Sequence, residues 1–166
     1  MGEWTGRRGV GVIPTYNGAG NIEGLLEGIR AGVDVGILVV DDSSPDGTAD
    51  IVGRFAQRWG ADITVLRRPV KSGLGTAYRA GFAEALREGD RICVQMDADL
   101  SHDPTYLPAL ISAVELGADA SLGSRYVPGG RIENWPRLRL FLSRWGNRYA
   151  AYLQNGDVLL ILSCCN

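Results

Sequence analysis

The chain has 166 residues, the length of a single domain. With 45% hydrophobic and 22% charged residues it can bury a core and is not compositionally disordered. Seventeen Lys and Arg against nineteen Asp and Glu leave a net charge of −2, which removes the electrostatic case for a general nucleic-acid binder.

Residues 10–13 read as a buried strand closed by Pro14, and residues 21–29 as a short helix. Residues 35–40 form the clearest strand and end abruptly in Asp41-Asp42. A helix over 48–59 and a strand over 62–66 follow. Leu74, Ala77, Tyr78, Gly81, Phe82 and Ala85 then share one helix face. Residues 91–96 predict a fourth strand, with Cys93 as a small buried hydrophobe, ending in Asp97-Ala98-Asp99. Asp103-Pro104 is a helix start, with Asp as N-cap and Pro in the first turn. Residues 119–122 are expected as a fifth strand. Leu138, Phe141, Leu142, Trp145, Tyr149 and Tyr152 fall on one face of a last amphipathic helix. Arg137, Arg144 and Arg148 lie within about 40° of one another on it, whereas Arg139 and Arg144 fall on opposite sides. Strands alternating with helices imply βαβ crossovers and a mostly parallel sheet, an α/β fold. No segment approaches the ~20 apolar residues that span a bilayer. Residues 1–8 lack the apolar region of a signal peptide. Three cysteines make neither a disulfide framework nor a zinc site, so the expectation is a soluble or peripheral domain in a reducing compartment.

Open parallel sheets bind ligands beyond the carboxyl ends of their strands, and the polar clusters sit at such ends. Asp97 and Asp99 can both face a cation where the backbone leaves the fourth strand. Mg²⁺ is commonly held by one or two carboxylates plus substrate phosphates. A solvated acidic loop or a helix cap would look the same. The stretch from Ser44 to Thr48 is turn and helix-start chemistry, which does not call for two acids before it; one could accept from a base or ribose. Lys71-Ser72-Gly73-Leu74-Gly75 is either a flexible turn or a cation beside a diphosphate. Gly18-Ala19-Gly20 followed about 20 residues later by Asp41 imitates a dinucleotide fingerprint. Four residues separate the strand from the first glycine, however, and Glu23 stands where the third glycine belongs. The arginines of the last helix are either a solvated rim or an attachment to an anionic membrane surface or a lipid phosphate. His102 is the single histidine, which argues against a zinc or triad role.

Taken in order, Val12-Ile13-Pro14-Thr15-Tyr16-Asn17, the run from Val39 to Thr48, Lys71 to Tyr78, Met96 to Pro104, Gly123-Ser124-Arg125-Tyr126 and Asn134-Trp135-Pro136 resemble the polyprenol (dolichol) phosphate mannosyltransferases. These are inverting family 2 glycosyltransferases with a GT-A, Rossmann-like sheet flanked by helices. The resemblance covers about residues 9–153, after an N-terminal extension over 1–8, with the amphipathic helix at about 137–153. It implies GDP-mannose as donor, Mg²⁺ or Mn²⁺ as cofactor and a polyprenyl phosphate in a membrane as acceptor. The chain would lie peripherally on the cytoplasmic face and bind no nucleic acid. By the same resemblance Pro14, Tyr16, Asp41 and Asp42 line the nucleoside pocket, and Lys71 and Ala98 lie near the nucleotide. Asp97 and Asp99, with Ser101, hold the metal. Ser124, Arg125, Arg139 and Arg144 receive the acceptor phosphate, provided that Arg139 precedes the helix; otherwise only one of the two helix arginines reaches the site. Glucose or N-acetylglucosamine from a UDP-sugar is the alternative chemistry. The family carries Glu where Gly18 and Gly20 stand, and it continues past residue 153 with a segment that residues 154–166 do not resemble. A truncated or altered tail, with weak or no acceptor turnover, is therefore expected; a nucleotide-sugar-binding module without turnover is the other outcome.

Overall fold

The computed structural model describes residues 8–60, 62–100, 102–123 and 136–153. The elements are β1 (Val10–Thr15), α1 (Ile22–Gly32), β2 (Gly36–Asp41), α2 (Thr48–Trp59), β3 (Ile63–Arg67), α3 (Leu74–Glu88), β4 (Cys93–Gln95), a 3₁₀ turn (Pro104–Tyr106) running into α4 (Leu107–Glu115), and α5 (Arg137–Leu153). The four strands are parallel in the order β3-β2-β1-β4. The chain thus winds outward from β1 to β3, then crosses back through α3 to place β4 on the other side of β1. The sheet order reverses between β1 and β4, which is where open α/β sheets form a ligand crevice.

Strand alternation sorts the core into two layers. Ile13, Ile37, Val39 and Ile63 face Leu25, Leu26, Ile29, Val52, Phe55, Leu107 and Ile111 of α1, α2 and α4. Val10, Val12, Leu38 and Val40 face Ala77, Tyr78 and Ala85 of α3. β1 and β2 are buried along their whole lengths, as central parallel strands covered on both faces must be.

Pro14 has a specific consequence at the switch point. Val10 N donates to Ile92 O and Val12 O accepts from Met96 N, whereas Gly9 O and Thr15 O accept from β2. Even-numbered residues of β1 therefore turn their polar groups toward β4. Pro14 continues that register and has no N–H to give. The β1–β4 pairing stops at Val12 with Gln95, and the chain after β4 peels away into Asp97-Ala98-Asp99.

Two expectations are corrected. Residues 119–122 form no strand but an exposed irregular segment, with Leu122 at 61% exposure. Asp, Ala and Ser are weak strand formers, and no strand follows β4 in the sheet among the described residues. Cys93 is exposed. Ile92, Val94 and Met96 face the α1/α2 layer, so Cys93 and Gln95 point to the other side, where α3 covers β1 and β2 and leaves β4 largely open. β4 is also shorter than the expected 91–96, while the helix expected over 21–29 begins at Ile22 and runs on to Gly32.

Gly81 lets α3 approach the sheet. A Cβ there would lie 2.3 Å from Val12 Cγ1 and 3.0 Å from Val40 Cγ2. Gly81→Ala is expected to lower stability by about 1–3 kcal/mol through overpacking. Gly53→Ala, in α2 with open space around its would-be Cβ, is expected to raise it by about 0.5–1 kcal/mol through helix propensity. Urea unfolding midpoints of the two variants should move in opposite directions.

Candidate functional site

Three strand ends supply the polar residues. At the end of β1, Pro14 and Thr15 are buried and Tyr16 is exposed. At the end of β2, Asp41 and Asp42 are buried, at 2% and 5% exposure. Thr15 and Asp41 are register partners, as are Asp41 and Arg67, so the three strand ends lie side by side. The β1 loop is fastened to the β2 loop by three hydrogen bonds of 3.0 Å. Asn17 N donates to Ser44 Oγ, Gly18 N to Thr48 Oγ1, and Ala19 N to Asp46 Oδ2. Asp46 also caps α2 by accepting from Thr48 N. The Thr48 hydroxyl and the Ala19 N–H together hold its carboxyl below the usual carboxylate range.

Arg68, immediately after β3, is the principal residue that the sequence reading passes over. Its Nη1 lies 3.2 Å from Asp42 Oδ1, with both side chains largely buried. Its Nη2 donates to Thr76 Oγ1 at 2.9 Å, and its carbonyl accepts from Ser43 Oγ at 2.6 Å. The strand-end rule, applied to β3 as it is to β1, β2 and β4, points to it. The Lys71 ammonium sits 3.9 Å from the centroid of the Tyr16 ring, a cation–π contact that brings two expected site residues together.

Buried polar groups are nearly always hydrogen-bonded. Among the described residues, Thr15 Oγ1, Asp41 Oδ1, Asp42 Oδ1 and Arg68 Nη1 are buried without a hydrogen-bond partner, the Asp42–Arg68 pair being close but poorly aligned. All four belong to the ends of β1, β2 and β3. Together they offer acceptors and a cationic donor to a ligand rich in polar edges, such as a nucleoside.

Across the switch point, Asp97 is half-buried and Asp99 is exposed on the turn that leaves β4. Ala98 between them packs against the α1/α2 layer, which turns the loop toward the sheet. Asp97 Oδ1 accepts from the Tyr78 hydroxyl at 2.6 Å. His102 Nδ1 makes a long, 3.5 Å contact with Asp97 N, so the histidine buttresses the loop. Among the described residues no three His, Cys, Asp or Glu side chains gather as a ready-made metal cage. Two hard carboxylates one residue apart suit Mg²⁺ or Mn²⁺, which take their remaining ligands from phosphates and water. The donor set therefore fits such an ion. Asn17, Ser43 and Leu100, the non-glycine residues with positive φ among those described, sit after β1, β2 and β4 respectively.

The expected acceptor residues are only partly placed. Ser101, Ser124 and Arg125 lie outside the described residues. α5 starts at Arg137, so Arg139 is within the helix and does not precede it. Arg144 lines a groove with Arg137, Leu140, Phe141, Trp145 and Arg148, and Arg139 does not. Arg139 and Arg144 point about 140° apart on this helix. Leu138, Phe141, Leu142, Trp145 and Tyr149 are exposed. No helix among the described residues is long and apolar enough to cross a membrane.

Residues 12–166 match the family model described as glycosyl transferase family 2. The chain belongs to glycosyl transferase family 2. This family 2 chain is 47% identical over 143 residues to polyprenol monophosphomannose synthase of Mycolicibacterium smegmatis, covering 86% of itself and 54% of that protein. It is 45% identical over 139 residues to undecaprenyl-phosphate mannosyltransferase of Micrococcus luteus, covering 83% and 56%. It is also 42% identical over 136 residues to dolichol-phosphate mannosyltransferase of Pyrococcus furiosus, covering 80% and 37%. The chain thus spans about half the length of the first two relatives, and less of the third. Among solved structures, it is similar to a mannosyltransferase from Pyrobaculum calidifontis in complex with GDP-Man and Mn²⁺. That match has a TM-score of 0.51 and 30% identity, over 57% of this chain and 28% of that one. The GT-A, α/β class expected from the sequence is the one found. A Cβ at Gly18 would lie 2.4 Å from Thr15 Oγ1. A larger residue there would fit only if the Thr15 side chain turned away.

Removing Arg68 strands a buried carboxylate. Arg68→Met is expected to cost about 3–5 kcal/mol, and adding Asp42→Asn to the same chain should recover a large part of it. Equal urea midpoints for Arg68→Met and the parent would show that the pair does not hold the site. For Asp46, whose folded pKa is depressed, the contribution is present above the unfolded pKa and lost as the pH falls below about 4. Asp46→Asn should therefore flatten the fall of stability between pH 5 and 2, measured by urea titration at each pH.

Proposed function

We propose that this chain carries the donor site of an inverting mannosyltransferase, which moves mannose from GDP-mannose to a polyprenyl phosphate. The observation that carries the reading is the cluster of unmatched buried polar atoms at the ends of β1, β2 and β3, across the switch point from the Asp97/Asp99 pair. One cluster suits a nucleoside and the other a diphosphate with its cation. The names of the relatives, and the GDP-Man and Mn²⁺ in the similar solved structure, supply the sugar, the acceptor class and the ion type.

In this reading Asp41, Asp42, Arg68 and Thr15 bind the nucleoside, with Pro14 and Tyr16 forming the β1 wall and Lys71 beside it. Asp97 and Asp99 hold Mg²⁺ or Mn²⁺. When bound, the ion supplies Lewis-acid neutralisation of the departing diphosphate. The acceptor is a phosphate monoester, largely dianionic at neutral pH because its second pKa is about 6. Its oxygen forms the bond to the anomeric carbon as the bond from that carbon to the diphosphate oxygen breaks, and the electron pair leaves with the diphosphate. No proton has to be removed from the nucleophile, so the residues need only bind, orient and stabilise charge. α5 supplies the peripheral membrane contact, with exposed Leu138, Phe141, Leu142, Trp145 and Tyr149 for the interface and Arg137, Arg144 and Arg148 for anionic phosphate.

Calorimetry with GDP and UDP, with and without Mn²⁺, tests the donor half. Metal-enhanced binding of GDP over UDP is expected, and the reverse preference overturns the sugar assignment. Asp99→Ala, an exposed substitution that should change stability by less than about 0.5 kcal/mol, should abolish the Mn²⁺ enhancement. Transfer of radiolabelled mannose to polyprenyl phosphate tests the acceptor half. Metal-dependent GDP binding without transfer identifies the chain as a nucleotide-sugar-binding module.

A further inference from the structure

Tyr78 belongs by spacing to the core face of α3, and its ring behaves accordingly. It is 6% exposed, stacks on Phe82 with centroids 5.8 Å apart, and packs in the layer formed by Val10, Val12, Leu38 and Val40. Its hydroxyl does something a core residue does not need to do. It crosses from α3 to the loop after β4 and donates to Asp97 Oδ1 at 2.6 Å. A tyrosine hydroxyl is protonated at neutral pH, so the group acts as a donor here.

Asp97 needs such a partner. Its carboxylate is half-buried at the rim of the crevice, beside the second carboxylate of Asp99, and the two repel each other when both are ionised. A short side chain on a turn can relieve that repulsion by rotating away from its neighbour. A hydroxyl fixed in the core blocks that rotation, because it occupies one carboxylate oxygen and sets the plane of the other. Asp97 is thereby oriented before any ligand arrives.

We propose that Tyr78 is a positioning residue for the Asp97/Asp99 pair, holding Asp97 in the orientation that receives a divalent cation on a nucleoside diphosphate. The inference rests on the donor-site reading above and adds a residue to it. It also gives α3 a role at both halves of the site, since Thr76, two residues earlier, holds Arg68 and through it Asp42.

The test is calorimetry of GDP binding to the whole chain, with Mn²⁺ and with a chelator in its place. Tyr78→Phe keeps the ring and removes only the hydroxyl. Its GDP affinity without metal should stay within twofold of the parent, while the enhancement by Mn²⁺ should fall about tenfold. Adding Tyr78→Phe to Asp97→Asn should cause no further loss, because the hydroxyl acts through Asp97. Phe82→Leu separates packing from positioning. It removes the ring stack and should lower the thermal midpoint while leaving the Mn²⁺ enhancement intact. A Tyr78→Phe chain whose Mn²⁺ enhancement equals the parent's overturns the inference, as does an equal loss in Phe82→Leu. A parent chain that binds GDP with no response to Mn²⁺ overturns the donor-site reading itself, and the inference with it.

Discussion

α3 lies so close to β1 and β2 that Gly81 leaves no room for a methyl group beside Val12, and much of the site follows from that contact. The first turns of α3 carry Thr76 and Tyr78. Thr76 holds the arginine that faces Asp42, and Tyr78 holds Asp97. The two acidic clusters lie on opposite sides of β1, at the ends of β2 and β4, yet one helix reaches both. A helix seated further from the sheet would move the Thr76 acceptor and the Tyr78 donor together and loosen both clusters. Helix-to-sheet distance is therefore a parameter of the site as much as of the core.

The arrangement concentrates cost at the strand ends. Four buried polar atoms at the ends of β1, β2 and β3 forgo hydrogen bonds, and three non-glycine residues at the ends of β1, β2 and β4 adopt positive φ. Leu100 is the most expensive of these, because it lacks the short polar side chain that lets Asn adopt a left-handed conformation. Such costs persist only where surrounding structure imposes them. Here the well-packed layers on both faces of β1 and β2 supply the compensating stability.

Much of this was legible in the chain itself. β2 is an unbroken apolar run ending in two acids, and a buried parallel strand with a polar tip has no other appearance. The helix face from Leu74 to Ala85 marks α3 equally well. Periodicity reports which way a side chain points but not what lies at its tip, so Tyr78 read as core and its bond to Asp97 stayed hidden. Arg68 does not stand out in the sequence because neighbouring Arg67 is an exposed surface cation paired with Asp50, and nothing local distinguishes the two. Cys93 was misplaced because burial of an edge strand depends on how far the covering helix extends, a long-range fact. The segment 119–122 failed as a strand because short stretches of Asp, Ala and Ser take their structure from a partner rather than from themselves.

The three hydrogen bonds that lace the β1 loop to the β2 loop have a thermodynamic meaning. Residues 17–19 and 44–48 form one body, so a ligand entering there orders little that is not already ordered. The cost of ordering these loops is met during folding, so binding does not have to supply it. The turn after β4 is held by the Tyr78 hydroxyl and a long contact to His102. The β1 and β2 loops are tied to each other, and the turn after β4 is tied to α3, so both sides of the crevice are set by folding.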